Sequence, residues 1–261
     1  MSIHPTAIVA EGAKIPASCT IGPFCTVGPN VTLGERCQLV SHVVLDGHLT
    51  MGDDNRVFSF ACIGIAPQDL KYKDEPTELV IGNKNDIREY VTISRGTVGG
   101  GGRTRVGSNC LIMAYVHIGH DSVIGDGCIL PNGSTLAGHV TVEDFAVLSA
   151  NAPVHQFCTI GKYAYIGGGT TITQDVLPYS LTSVERNNHA YGINKVGLER
   201  RGFTPDEIKQ LRSAYKLLLA SKLNTTDALA SIREKIASGE FGDKVAYLAD
   251  FIAKSERGVI K

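Results

Sequence analysis

His117 and His120 stand three residues apart in VHIGHDSVIG, residues 116–125, with Asp121 beside the second; His139 and the pair His155–Gln156 follow downstream. Imidazole has an unperturbed pKa of about 6.5, which suits it to take up a proton near neutral pH. A carboxylate beside it can fix the tautomer and stabilise the imidazolium as the proton arrives. Imidazoles also ligate zinc readily, so His117, His120 and His139 form an alternative metal-binding set. No serine or cysteine stands out as a nucleophile, which favours direct transfer with a general base over a covalent intermediate. Either chemistry requires the chain to bring these side chains together.

The elements that could do so are written in the register of the apolar residues. Every sixth residue from Ile3 to Ile63 is aliphatic or Met; the phase returns at Ile81, Ile87 and Ile93, slips by one, and runs from Val106 to Ile172. A glycine often follows the anchor, and a small residue often stands four after it. Six is not a helical period. It fits a short extended stretch followed by a corner, and stacked units of this kind build a parallel β-helix with an internal aliphatic stack. Three hexads make one coil, so residues 18 apart lie on one face, roughly 4.8 Å from each other. Ile118, Leu136 and Val154 therefore stack. His120 and Gln156 lie two after their anchors, His139 three after and His155 one after. All four fall on the same part of one face over three coils, with His117 at the same corner.

Six of the seven cysteines (Cys19, Cys25, Cys37, Cys110, Cys128 and Cys158) occupy the small inward slot, and none has CxxC spacing. They read as buried thiols that behave as small hydrophobes, in keeping with a cytoplasmic address. A net charge of −1 argues against bulk nucleic-acid binding. No apolar run approaches the roughly 18–20 residues of a membrane span, and the N-terminus lacks a signal-peptide pattern.

Two stretches interrupt the coils: residues 65–79, too polar for an interior, and residues 95–105, a Gly-rich excursion. The four glycines 99–102 do not make a phosphate loop, having no following GK[ST], and read as a flexible flap. From about Ile193 the period changes. Thr204, Pro205 and Glu207 form an N-cap, a first-turn proline and a capping box. Gly239 ends a second amphipathic stretch, and DKVAYLADFIAKS is a third. The chain thus divides into a β-helix over 1–190 and an α-helical domain over 191–261, which could cover the open end of the coil.

QDLKY (68–72), HIGHD (117–121), LAGHV (136–140), VHQF (154–157) and GLERRGF (197–203) together resemble the acyl-[acyl-carrier-protein]–UDP-N-acetylglucosamine O-acyltransferase family of lipid A biosynthesis, over essentially the whole length. The resemblance implies a mainly β fold, a left-handed parallel β-helix followed by a small C-terminal α-helical domain. It implies a homotrimer with active sites between subunits, no cofactor, and two partners, a 3-hydroxyacyl carrier protein and a UDP-sugar. In that reading His120 is the general base, Asp121 supports it and the Gly138 N–H is the oxyanion donor. Asp69, Lys71, His117, His139, His155 and Gln156 line the sugar and acyl sites. Asn194, Arg200 and Arg201 meet the uridine diphosphate, and Gly168 leaves room for a longer acyl chain. Ser94 stands where relatives commonly carry His, and Val196 where some carry an acidic nucleotide contact. A 3-amino UDP-sugar is the alternative acceptor; a zinc hydratase of the gamma-class carbonic anhydrase kind is the rival activity. Carrier docking would draw on Arg95, Arg103 and Arg105, or on Lys209, Arg212 and Lys216.

Overall fold

The computed structural model describes residues 2–183, 189–221 and 223–260. Its first part is a parallel β-helix of very short strands in three faces of seven, eight and seven strands. The hexad anchors pair as their spacing requires: Ile3 with Ile21, Ile21 with Leu39 and Leu39 with Val57, each 18 residues on. Each anchor points inward and is almost completely buried from Ile21 onward, so the core is one continuous column.

The two interruptions account for the phase. Val57 pairs with Ile87, thirty residues on instead of eighteen, an excess of two whole hexads that leaves the register intact. Ile87 pairs with Ile112, twenty-five on, an excess of one hexad plus one residue, which produces the slip. The second excursion is not a loose flap. Val98–Gly100 form a 3-10 turn capped by Thr97, with Gly101 left-handed after it. The Gly96 N–H and the Glu78 carbonyl, and the Glu78 N–H and the Gly102 carbonyl, join this loop to the end of the first insertion. Arg103 pairs with the Glu78 carboxylate.

The six inward cysteines are buried and Cys62 is partly exposed. Cys19, Cys37, Cys110 and Cys128 each lie within 3.1–3.2 Å of a carbonyl fifteen residues later, so the thiols donate weak bonds along the column. Asn55 and Asn85 occupy the same inward slot, fully buried. Asn85 donates to the Asn55 side chain at 3.0 Å and to the Gly107 carbonyl at 2.9 Å and accepts from the Cys110 N–H, while Asn55 donates to the Gly52 and Gly82 carbonyls, so both amides are satisfied.

Beyond the last coil come α1 (Lys195–Arg200), α2 (Pro205–Tyr215), a π-helical turn (Lys216–Ala220), α3 (Thr225–Ala237) and α4 (Asp243–Lys254). The Thr204–Glu207 capping box is formed, and Gly239 is left-handed just past the end of α3. These helices share a second core with Leu177 and Tyr179 of the last turns of the coil. The chain then returns: Ile260 enters the coil's own core, and its N–H donates to the Asp175 carbonyl. Asp175 also accepts from the Thr159 N–H at 2.7 Å and the Ser255 hydroxyl at 2.6 Å. The tail covers the end of the β-helix. No helix of the described residues is long and apolar enough to cross a membrane.

Burial pushes the Cys37 thiol up to about 11, so it stays protonated and unreactive at neutral pH. Thiol titration with a disulfide reagent at pH 8 should give about one equivalent in the native protein, from Cys62, and all seven after unfolding. Rapid reaction of several thiols without unfolding would contradict this packing.

Candidate active site

The corner after the HIGH stretch positions the candidate residues. His117–Ile118 pair with Thr135–Leu136, which pair with Pro153–Val154. Two residues past the anchors, His120, Gly138 and Gln156 share one column. One further on, Asp121, His139 and Phe157 share the next, all three with left-handed backbone (φ 60°, 61° and 64°). His139 stacks on Phe157 with centroids 4.5 Å apart and meets His120 edge-on at 5.2 Å.

His120 donates through Nδ1 to Asp121 Oδ2 at 2.8 Å, because a carboxylate can only accept. In the neutral ring this tautomer puts the lone pair on His120 Nε2. The Asp121 carboxylate is fully buried. It is held by the Thr97 N–H on Oδ1 at 2.8 Å and by the Thr97 hydroxyl on Oδ2 at 2.6 Å, while Thr104 Oγ1 accepts the Asp121 N–H at 2.8 Å. His139 Nε2 is 3.8 Å from the same Oδ2. Thr97 lies 24 residues away in the Gly-rich excursion and carries no sequence signal for this role.

The imidazole lies over Gly138. A β-carbon there would fall 2.6 Å from His120 Cε1 and 2.8 Å from Nε2, so the ring fits only above glycine. The Gly138 N–H has no acceptor among the described residues. Gly100 is equally constrained, since a β-carbon there would fall 2.0 Å from Asp121 Cγ.

His117 points elsewhere. Its Nδ1 lies 2.8 Å from Thr92 Oγ1, and burial, with His120 beside it, lowers its pKa below the ordinary imidazole value. The set His117, His120 and His139 therefore does not converge as three zinc ligands. The atoms that do converge, within 4.8 Å of one another, belong to His120, Asp121 and His139. In that group both Asp121 oxygens already accept hydrogen bonds from Thr97, and Oδ2 also accepts from His120.

The remaining candidates are more dispersed. His155 is exposed, with Nδ1 3.1 Å from the Gln156 carbonyl and 3.3 Å from Arg257 Nη2 of the C-terminal segment. Gln156 is exposed on the next position. Asp69 accepts from the Lys71 N–H at 3.0 Å, beside a fully exposed Leu70. Asn194 caps α1, accepting from the Gly197 N–H at 3.1 Å and donating to the Tyr163 carbonyl at 3.2 Å. The Arg201 guanidinium sits 4.5 Å over the Phe145 ring, and Arg200 is exposed in the last turn of α1. Gly168 is exposed, and a β-carbon there meets nothing closer than 3.8 Å. Among the described residues no hydrogen bond, ion pair or ring contact links Asp69, Lys71, Asn194, Arg200, Arg201, His155 or Gly168 to His120, Asp121 or His139. Ser94 is buried with an unpartnered hydroxyl, and Val196 is exposed.

Two outcomes follow from this geometry. On the expectation that His120 is the general base, Gly138→Ala should lower turnover roughly 100-fold or more, with a melting temperature within a few degrees of the parent. Near-parental kcat in that variant would show that the imidazole need not lie over Gly138. Because the folded pKa of His117 is depressed, the unfolded chain binds an extra proton as pH falls below about 6.5. Stability should drop over that interval and level off below the folded pKa. Melts of His117→Gln should show a shallower acid slope, and an unchanged slope would contradict the shift.

The model for the second domain of UDP N-acetylglucosamine O-acyltransferase matches residues 175–260, and that for six bacterial transferase hexapeptide repeats matches 12–47 and 103–138. An acyl-[acyl-carrier-protein]–UDP-N-acetylglucosamine O-acyltransferase of Burkholderia lata is 48% identical over 260 residues, 99% of both chains. The solved UDP-N-acetylglucosamine acyltransferase of Francisella novicida superposes with a TM-score of 0.94 at 44% identity, covering 99% of this chain and 93% of that one. LpxA from Acinetobacter baumannii gives 0.94 at 41% identity, with 99% of each covered. The expected β-helix with its small helical tail is the fold of these relatives. The chain belongs to the acyl-[acyl-carrier-protein]–UDP-N-acetylglucosamine O-acyltransferase family.

Proposed function

We propose that this chain transfers a 3-hydroxyacyl group from acyl carrier protein to the 3-hydroxyl of UDP-N-acetylglucosamine, the first step of lipid A biosynthesis. The observation that carries the reading is the His120–Asp121 pair, whose Nδ1–H···Oδ2 bond leaves Nε2 free to accept a proton. The sugar hydroxyl attacks the thioester carbonyl as His120 Nε2 removes its proton. Asp121 offsets the charge of the imidazolium. The tetrahedral oxyanion is met by the Gly138 N–H, a kind of contact worth a few kcal/mol in acyl-transfer sites. Collapse breaks the C–S bond and expels the carrier thiolate, which takes the proton from the His120 imidazolium. No covalent enzyme intermediate is needed.

Among the described residues of one chain, no hydrogen bond, ion pair or ring contact joins the dyad to the residues assigned to the nucleotide. This supports a homotrimer in which one subunit's Asp69 and Lys71, or its Asn194, Arg200 and Arg201, face the His120 corner of a neighbour. We assign carrier docking to the exposed stripe of Lys209, Arg212 and Lys216 on and just after α2, which complements an acidic partner. Of the loop arginines, Arg95 is committed to the Gly64 carbonyl and Tyr72 hydroxyl, and Arg103 to Glu78. Only Arg105 of that group could add to the stripe.

Purified protein and its His120→Ala variant should be assayed with UDP-N-acetylglucosamine and 3-hydroxyacyl carrier proteins of graded length, with zinc content measured on the same samples. Transfer by the parent that falls at least 100-fold in the variant and does not follow bound zinc is the expected result. Transfer only to the 3-amino sugar would change the acceptor; activity that follows stoichiometric zinc would overturn the mechanism.

A further inference from the structure

The Gly-rich excursion lacks the features of a phosphate loop, and one of its buried side chains, Thr97, ends on the Asp121 carboxylate. Thr97 presents two donors to two different oxygens, its N–H to Oδ1 and its hydroxyl to Oδ2. Oδ2 then has one remaining direction for the His120 Nδ1–H. Thr97 is itself over-determined. Its carbonyl accepts from the Gly100 and Gly102 N–H groups, its hydroxyl accepts again from Gly100, and Gly100 packs too tightly on Asp121 to carry a side chain. The loop is anchored in turn on Glu78, through backbone bonds from Gly96 and Gly102 and the Arg103 ion pair.

We infer that Thr97 is a positioning residue for the transfer reaction, the third member of a Thr97–Asp121–His120 chain that fixes the direction and tautomer of the base. This inference rests on His120 acting as that base. Two neutral donors share the buried carboxylate's charge with the imidazolium and so temper its hold on the His120 proton. Without the hydroxyl, Oδ2 loses a donor in a site that water cannot reach, and the carboxylate's demand falls on His120. The charged or titratable groups facing the pair are His139, 3.8 Å from Oδ2, and His117, which interacts electrostatically with His120. Thr104, the remaining neighbour of Asp121, is neutral.

The test is a set of Thr97 variants measured for kcat, KM and the pH profile of kcat/KM. Thr97→Val keeps the N–H, and the Gly100 turn keeps its bond to the Thr97 carbonyl, so the fold should persist. We expect kcat to fall roughly tenfold or more, KM for the UDP-sugar to stay within about twofold, and the acid limb to move to higher pH. Thr97→Ser should restore both rate and profile. Thr97→Ala is the second deletion if valine does not fold, with the same expectation. Parental kcat and acid limb in a deletion variant would overturn the inference, as would a loss of rate that serine does not rescue. A His120→Ala variant in the same series separates the two ideas. If it retains full rate, the base assignment fails; if it is inactive while the Thr97 deletion is unaffected, only the role of Thr97 fails.

Discussion

Everything in this protein depends on the parallel pairing of residues one coil apart. That pairing keeps the aliphatic anchors in a single buried column and sets successive corner residues about 4.8 Å from each other. A corner side chain therefore has fixed neighbours one coil above and below. At the functional corner the fixed neighbours are His120 over Gly138, and Asp121 over His139 over Phe157. The imidazole has room because the next coil offers a glycine at that position.

The second requirement is electrostatic. A fully buried carboxylate is costly unless its oxygens are paired, and the penalty amounts to several kcal/mol. At Asp121 the partners come from two sources, the adjacent His120 and the excursion that carries Thr97. The insertion between coils thus supplies the site with two donors to the buried Asp121 carboxylate, the Thr97 N–H and hydroxyl. Its cost to the fold is small, because an excess of one hexad and one residue shifts the phase once without breaking the anchor column.

The anchor column, the inward cysteines and the capping box of α2 were all legible in the sequence, because each depends on local spacing and backbone pairing. The placing of His120 against the next coil was legible for the same reason, whereas Gly138 entered only through the family resemblance. Thr97 was not, since its contact with Asp121 spans 24 residues and depends on how a glycine-rich loop turns. His117 shares a corner with His120, but its ring turns to Thr92, a choice set by packing on the preceding coil. Arg257 reaches His155 across 102 residues, only because the tail folds back along the last coil. Asn194 has the residue type of a ligand-binding amide, yet its side chain caps α1. Spacing reports which residues stack. It does not report which way a side chain turns once several partners are within reach.

Asp121 holds His120 with the proton on Nδ1 and the lone pair on Nε2. Nitrogen-15 NMR of selectively labelled histidine, assigned by comparison with His120→Ala, reads that tautomer directly in the free protein above the titration range of the ring. The expected spectrum shows a protonated Nδ1 with a hydrogen-bonded proton, and an unprotonated Nε2. A His120 resonance showing the proton on Nε2 would contradict it, because the nitrogen that must accept the substrate's proton would then already carry one.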